Sequence, residues 1–297
     1  MSAAANGQSS PSLTAWDRVK LARHPERPHT LDYVHELMDD FVELHGDRVF
    51  GDDPALIGGL ARFGNRTVLV LGHQKGTNTR ANISRNFGMS RPDGYRKAER
   101  LLQHAAKFGL PVVTFIDTPG ADPGIGSEER GQATAIAQSL LTMADLPVPV
   151  VSVVIGEGGS GGALAIGVAN RMLMLENAVY AVASPEGCAA ILWKDAAKAP
   201  EAAETMRITA HELHDFRIID EVIAEPVPAH EQPGDAILAV GQALERHLNE
   251  LEAPLPADRP LIPDQLREDR YTKFRRIGAW REEIQHERGL PADLILP

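Results

Sequence analysis

Apolar positions along this chain follow two alternating rhythms. Over 94–108 they recur at helical spacing (Tyr95, Ala98, Leu101, Leu102, Ala105, Phe108) and stop at Gly109, which predicts a helix. The same spacing at Leu31, Val34, Leu37, Met38, Phe41 and Val42, behind Thr30 as cap, predicts a helix over 31–44. A shorter helix is expected at 16–22, before the prolines at 25 and 28. Between such segments lie short, continuous apolar runs. Those at 56–62 and 67–72 flank Gly64-Asn65, a hairpin signal. Those at 111–116, 149–155 and 179–183 are each followed by a loop and then helical spacing. After the first, Ser127 is expected to cap a helix over 128–143. After the second, Gly156–Gly162 reads as a loop leading into an apolar helix over 163–168. Continuous apolar strands alternating with helices require a sheet covered on both faces, so the fold class is α/β.

Composition narrows the function. The chain has 297 residues, 43% hydrophobic and 24% charged, with a formal net charge of −11. Such acidity argues against coating nucleic acid or anionic membrane, where basic surface supplies the affinity. The single cysteine, Cys188, cannot form an intramolecular disulfide or build a Cys-rich zinc site. No basic-then-apolar signal pattern opens the chain, and the most apolar stretch, 148–155, is too short to cross a bilayer. A soluble, cytoplasmic protein is expected. Residues 1–15 read as a disordered leader, 16–250 as the folded domain, and 251–297 as a Pro-rich linker with a charged tail.

Three segments could carry chemistry. Gly156-Glu157-Gly158-Gly159-Ser160-Gly161-Gly162 joins a buried run to an apolar helix, where backbone N–H groups can face developing negative charge. It matches both the G-x-G-x-x-G dinucleotide pattern and the G-x-S-x-G hydrolase elbow. The first lacks a well-placed acid about 20 residues on. The second needs partners such as Asp195 or Asp215 with His230 or His247. A packing role without ligand also fits. The second segment, 73–100, holds seven Lys/Arg against two acids, a local reversal of sign that marks an anion site or a partner interface. Lys75 and Arg80, set among Gly, Asn and Thr, are expected to face a groove. Arg96, Lys97 and Arg100, at helical spacing, are expected on a solvated or subunit-facing side. The third segment, Asp117-Thr118-Pro119-Gly120-Ala121-Asp122-Pro123-Gly124, follows a buried strand, where open α/β sheets place ligands. His211 and His214 lack a third convergent ligand, and Cys188 reads as a small packing residue.

Taken together, GHQKG (72–76), RNFGM (85–89), GYRKA (94–98), FIDTPGA (115–121), EERGQ (128–132), IGEGGSGGALAIG (155–167) and SPEGCAAILWK (184–194) resemble the carboxyltransferase alpha subunit of bacterial acetyl-CoA carboxylase. The similarity runs in order from about residue 21 to residue 280. Asp122 stands where that family more often has an aromatic.

The resemblance implies a crotonase-like β-β-α superhelix with stacked sheets, closed by the helix-turn-strand of 206–226. It implies transfer of a carboxyl group from carboxybiotin, borne on a biotin carboxyl carrier protein, to acetyl-CoA, giving malonyl-CoA, the first committed step of fatty acid synthesis. Biotin carboxylase would recharge the carrier. A zinc-containing beta subunit would complete the site, as α2β2, with no metal in this chain. Each half-reaction leaves charge on an oxygen and needs an oxyanion hole, and the released biotin anion can take the proton, so no side-chain base is required. Gly161 and Gly162 are the expected hole, with Ala163 the alternative register; Lys75, Arg80, Gly120 and Gly159 are the expected substrate contacts.

Overall fold

The computed structural model describes residues 13–253 and 263–278. Of the expected leader over 1–15, residues 1–12 lie outside the described residues, as does most of the Pro-rich linker, while Thr14 and Ala15 belong to the first helix and its cap. Helix α1 (Ala15–Ala22) opens with a reciprocal cap, in which Thr14 Oγ1 accepts from the Asp17 N–H and the Asp17 carboxylate accepts from Thr14. Helix α2 (Thr30–Leu37) is half the length expected. Met38 is already extended, Asp40 is left-handed (φ 54°), and strand β1 (Asp39–Glu43) follows. Gly59 explains the break: a Cβ there would stand 2.2 Å from the Val42 carbonyl oxygen. The bare glycine lets this segment pair against the next strand, leaving Val42 59% exposed despite its place in the apolar spacing. Thr30 is the first helical residue, not the cap, and its hydroxyl donates to the His73 carbonyl at 2.5 Å.

Strands β2 (Leu56–Phe63) and β3 (Arg66–His73) form the expected hairpin, turned by left-handed Gly64. Short helix α3 (Thr79–Ser84) leads into left-handed Asn86, Phe87 and Gly88, and then α4 (Pro92–Phe108), ended by Gly109 in the αL conformation. Strand β4 (Val112–Thr118) is buried throughout. The single helix expected over 128–143 is two, α5 (Ile125–Glu129) and α6 (Gln132–Asp145), separated at left-handed Gly131. Ser127 is no cap; it is buried, and its hydroxyl donates to Asp122 at 2.5 Å.

Strand β5 (Val150–Gly159) runs four residues further than the apolar run foretold, and α7 (Ser160–Leu164) begins at once. Strands β6 (Arg171–Leu175) and β7 (Val179–Ala181), helices α8 (Pro185–Trp193), α9 (Ala199–Met206) and α10 (Ala210–Asp215), strand β8 (Glu221–Ile223) and helix α11 (Pro233–Glu252) complete the domain. The sheet order is β1-β2-β3-β4-β5-β6-β8, antiparallel across β1–β3 and parallel beyond. The first half of β5 pairs with β6 and its second half with β7, so the eight-stranded sheet branches at β5.

Where a charged tail was expected, Pro263–Arg275 forms helix α12. Its Arg270 is 1% exposed and donates to the carbonyls of Ala144, Leu146 and Val148, closing the C-terminal end of α6. The first two are carbonyls that a helix end otherwise leaves unpaired, and the third belongs to the segment leading into β5.

Candidate active site

Parallel strands β3, β4 and β5 end at one edge of the sheet, at His73, Thr118 and Gly159. Their loops converge there. Through Gly159 the glycine string is strand: Gly158 pairs with Thr118 on β4 and with Tyr180 on β7. A Cβ on Gly159 would stand 2.1 Å from the Pro119 carbonyl oxygen, and one on Gly162 would stand 2.6 Å from the Ala121 nitrogen. The missing side chains let the 119–121 turn, with Gly120 at its centre, lie directly against the strand end and the first turn of α7. Gly161 meets nothing closer than 3.7 Å. Ser160 is left-handed at φ 50° and reverses the chain within one residue. The N–H groups of Gly161, Gly162 and Ala163 then occupy a first helical turn, where no intrahelical acceptor exists.

Ser160 and Gly161 line an apolar cavity of about 560 Å³ with Leu164, Tyr180, Met206 and Ile208. No histidine lines it. The His230 ring stacks on His24 at 3.8 Å, and His247 is bonded to Glu221 at 2.7 Å. Among the described residues that line this cavity there is thus no imidazole to take a proton from Ser160. Behind Gly162 lie two buried side chains with no hydrogen-bond partner, Tyr95 and His73. Tyr95 Oη is 3.0 Å from the position of a Gly162 Cβ. Burial drives the Tyr95 pKa up and holds His73 down at about 4, so both are neutral at pH 7.

Beside the glycines runs a chain of charges, buried at His29, Asp117 and Glu157 and half-buried at Lys75, Arg23 and Glu186. Lys75 Nζ donates to Asp117 Oδ1 at 2.7 Å and to Glu157 Oε2 at 3.2 Å. His29 Nδ1 lies 3.1 Å from Asp117 Oδ2. Arg23 Nε reaches Glu157 at 2.5 Å, and its two terminal nitrogens reach Glu186. Burial alone would favour neutral Lys75, but the two carboxylates outweigh it and raise its pKa. Burial would likewise raise Asp117, yet Lys75 and His29 hold it far below the ordinary carboxylate range. A cavity of about 290 Å³, lined by Arg23, His29, Lys75, Phe87, Pro119 and Glu157, opens over this chain.

The basic segment divides differently from its spacing. Arg80 is exposed on α3, and no residue of that helix is buried. The helical trio is not a solvated face, because an acidic loop at 45–53 covers it. Lys97 is 0% exposed and bonded to Asp52 Oδ1 and the Asp53 carbonyl; Arg96 pairs with Asp47 and Asp93; Arg100 donates to the Gly46 carbonyl. Glu157, Arg23 and His29 were not singled out from sequence. One signal was available: Glu157 is a lone carboxylate in a string otherwise apolar or glycine, which demands a buried cation. Asp122 accepts from Asn86 Nδ2 at 2.9 Å as well as from Ser127, and so ties its loop to the left-handed turn at 86–88. Among the described residues, no cluster of three or more His, Cys, Asp or Glu could hold a metal, and no helix is long and apolar enough to cross a membrane.

A family model described as acetyl co-enzyme A carboxylase carboxyltransferase-like matches residues 2–278. The chain belongs to this family. It is 55% identical over 276 residues to the acetyl-coenzyme A carboxylase carboxyl transferase subunit alpha of Synechococcus sp. (strain CC9902), covering 93% of this chain and 82% of that one. It is 54% identical over 272 residues to the protein of the same name from Thermus thermophilus, covering 91% and 85%. Among solved structures it resembles transcarboxylase 12S with methylmalonyl-coenzyme A and methylmalonic acid bound (TM-score 0.61, 22% identity, 78% of this chain). It also resembles the beta subunit of P. aeruginosa geranyl-CoA carboxylase (TM-score 0.60, 18% identity, 84% of this chain). This chain spans under half the length of each, 44% and 48%. At that identity the likeness establishes the fold, which is the crotonase-like architecture the motifs implied. The hydrolase and dinucleotide readings of the glycine string fall away, and a carboxyltransferase subunit remains.

Proposed function

We propose that this chain supplies the biotin-side half of a two-subunit acetyl-CoA carboxyltransferase, moving a carboxyl group from carboxybiotin to acetyl-CoA to give malonyl-CoA in the cytoplasm. The observation that carries this is the backbone cradle at Gly159–Gly162, whose first-turn N–H groups have no intrahelical acceptor, set beside two carboxylates, Asp117 and Glu157, that Lys75 already holds. A Cβ on Gly161 would meet nothing closer than 3.7 Å, and with Ser160 this residue lines the neighbouring cavity of about 560 Å³, where a flat ureido ring can approach the backbone. When bound, carboxybiotin supplies the activated carboxyl group. The N–H groups of Gly161 and Gly162, or of Ala163 in the alternative register, stabilise negative charge at the oxygen they face. Gly120 and Gly159 bring two backbone segments into contact so that the donors are fixed before reaction. Arg80, exposed at the same sheet edge, is the cation available to CoA phosphates or a carboxylate, while Lys75 is already held by two carboxylates.

One cradle serves one oxyanion. The second, on the thioester, has no counterpart among the described residues, so a zinc-containing beta subunit supplies it, in an α2β2 assembly served by a biotin carboxyl carrier protein and biotin carboxylase. Apolar side chains suited to subunit contact are exposed: Val182, which lines the cavity beside Ser160, is 81% exposed, and Ile191 and Leu192 on α8 are 69% and 61% exposed. The test is carboxyl transfer from malonyl-CoA to biocytin. The purified chain should be inactive, and adding the beta subunit should restore turnover. Robust activity of the chain alone would overturn the proposal.

A further inference from the structure

Among the described residues, Lys75 is the lysine that touches both strand ends of the cradle. Asp117 lies at the end of β4, one residue before the Thr118-Pro119-Gly120 turn, and Glu157 lies in β5, two residues before Gly159. Lys75 Nζ bonds to both, and Asp117 Oδ1 also accepts from the Glu157 N–H at 3.1 Å. Its stem is wedged in place: a Cβ on Gly88 would meet Lys75 Cγ at 3.1 Å and the Asp117 carbonyl at 2.9 Å. On the outer side, Glu157 is held by Arg23 and Asp117 by His29. Without the ammonium, two buried carboxylates would face each other across the gap that sets how the 119–121 turn meets Gly159 and Gly162.

We infer that Lys75 is a positioning residue: it clamps the ends of β4 and β5 together through Asp117 and Glu157 and thereby fixes the spacing of the oxyanion cradle, without itself meeting substrate. This rests on the carboxyltransferase reading above. The consequence is specific. A clamp controls the alignment of donors with the reacting oxygen, so its loss lowers kcat while leaving CoA binding nearly intact; misplacement by about 1 Å can cost about 10²-fold. Because the clamp is a balance of charges, removing one carboxylate together with the lysine should restore it in part.

The experiment uses the complex with the beta subunit and follows malonyl-CoA and biocytin turnover, together with amide exchange across 115–122 and 156–164. Lys75→Met keeps the length of the stem and drops the charge. It should lower kcat about 100-fold, change KM for malonyl-CoA less than about threefold, and speed exchange in both segments. The double variant Lys75→Met with Glu157→Gln should regain about tenfold in kcat and recover slow exchange. If Lys75→Met does not fold, Glu157→Gln and Asp117→Asn take its place, each expected to lower kcat at nearly constant KM. A raised KM at unchanged kcat would assign Lys75 to substrate and overturn the clamp. So would a double variant no better than the single. If the wild-type complex transfers no carboxyl group, the functional reading fails, while the exchange data still decide whether Lys75 joins the two strand ends.

Discussion

The two segments that leave β3 and β5 at the same sheet edge are built in opposite ways. At the end of β5, Gly156–Gly159 and then Gly162 are buried, Gly161 is half-buried and Ser160 exposed, and at Gly159 and Gly162 even one added carbon would overlap neighbouring backbone. After β3, helix α3 buries no residue; Arg80 is exposed, Ile83 is 63% exposed, and the chain leaves it through two successive left-handed residues that are not glycine, Asn86 and Phe87. One segment has few side chains to offer and no freedom to move, and the other has little but side chains. The difference separates tasks. Stabilising charge on a reacting atom needs donors fixed in advance, which a backbone wedged between strands provides. Meeting a partner surface or an anion needs adaptable side chains at a rim, where loops commonly carry binding.

The sharpest way to break this contrast lies within the glycine segment. Gly162→Ala forces its Cβ against the Ala121 nitrogen, whereas Gly161→Ala meets only Ile136 at ordinary contact distance. Both retain the N–H. In the complex, Gly162→Ala should lose about 10²-fold in kcat, the cost of misplacing a donor by about 1 Å, while Gly161→Ala stays within about fivefold. Thermal unfolding of both chains checks that the comparison is made on folded protein. Equal losses would show that the interlock with 119–121 does not govern the cradle.

The second test concerns what lies behind the glycines. His73 is fully buried, with its pKa lowered to about 4 chiefly by burial, against an ordinary value near 6.5. As pH falls through this window the unfolded chain takes up a proton that the folded chain refuses. Stability should therefore be intact above about pH 7 and fall on acidification by about 3 kcal/mol once pH reaches about 4. His73→Leu removes that titration, so urea unfolding of the variant between about pH 7.5 and 4 should show a flatter acid limb than wild type. An unchanged slope would mean that His73 charges in place.

Much of this was legible because burial leaves a plain mark. β4 and β5 are enclosed on both faces, so their apolar runs could hardly be anything else, and Gly64 and Gly109 announced their turns. Errors came where apolar spacing served two structures at once. Leu37, Met38, Phe41 and Val42 suit a helix face, but the space opposite Gly59 makes a strand the better solution, and nothing within 31–44 records what Gly59 does. Lys97 is non-local in another way: its spacing places it on α4, while the Asp52 that neutralises it comes from a loop 45 residues earlier. Gly159 and Gly162 could be named from the string alone. The charge chain beside them could not, because Arg23, His29, Lys75, Asp117, Glu157 and Glu186 meet only after folding.

The smallest effect expected belongs to the adaptable segment. Arg80 sits on a helix with no buried residue, so Arg80→Ala removes no packing and should leave the melting temperature of the chain unchanged. Its charge can act on an anionic substrate only through water. Screening confines such an interaction to roughly 10 Å at about 0.1 M salt, so any contribution must fade as salt rises. In the complex at low ionic strength, KM for malonyl-CoA or biocytin should rise about two- to fivefold in Arg80→Ala, kcat should hold, and the difference should vanish at about 0.5 M salt. A salt-independent loss would place Arg80 in a desolvated contact, making α3 part of the fixed machinery. No change at any salt concentration, with weakened binding of the beta subunit, would assign the helix to the partner instead of to the anion. The contrast between the two strand ends survives only if Gly162→Ala acts on kcat and Arg80→Ala on KM, each without the other's signature.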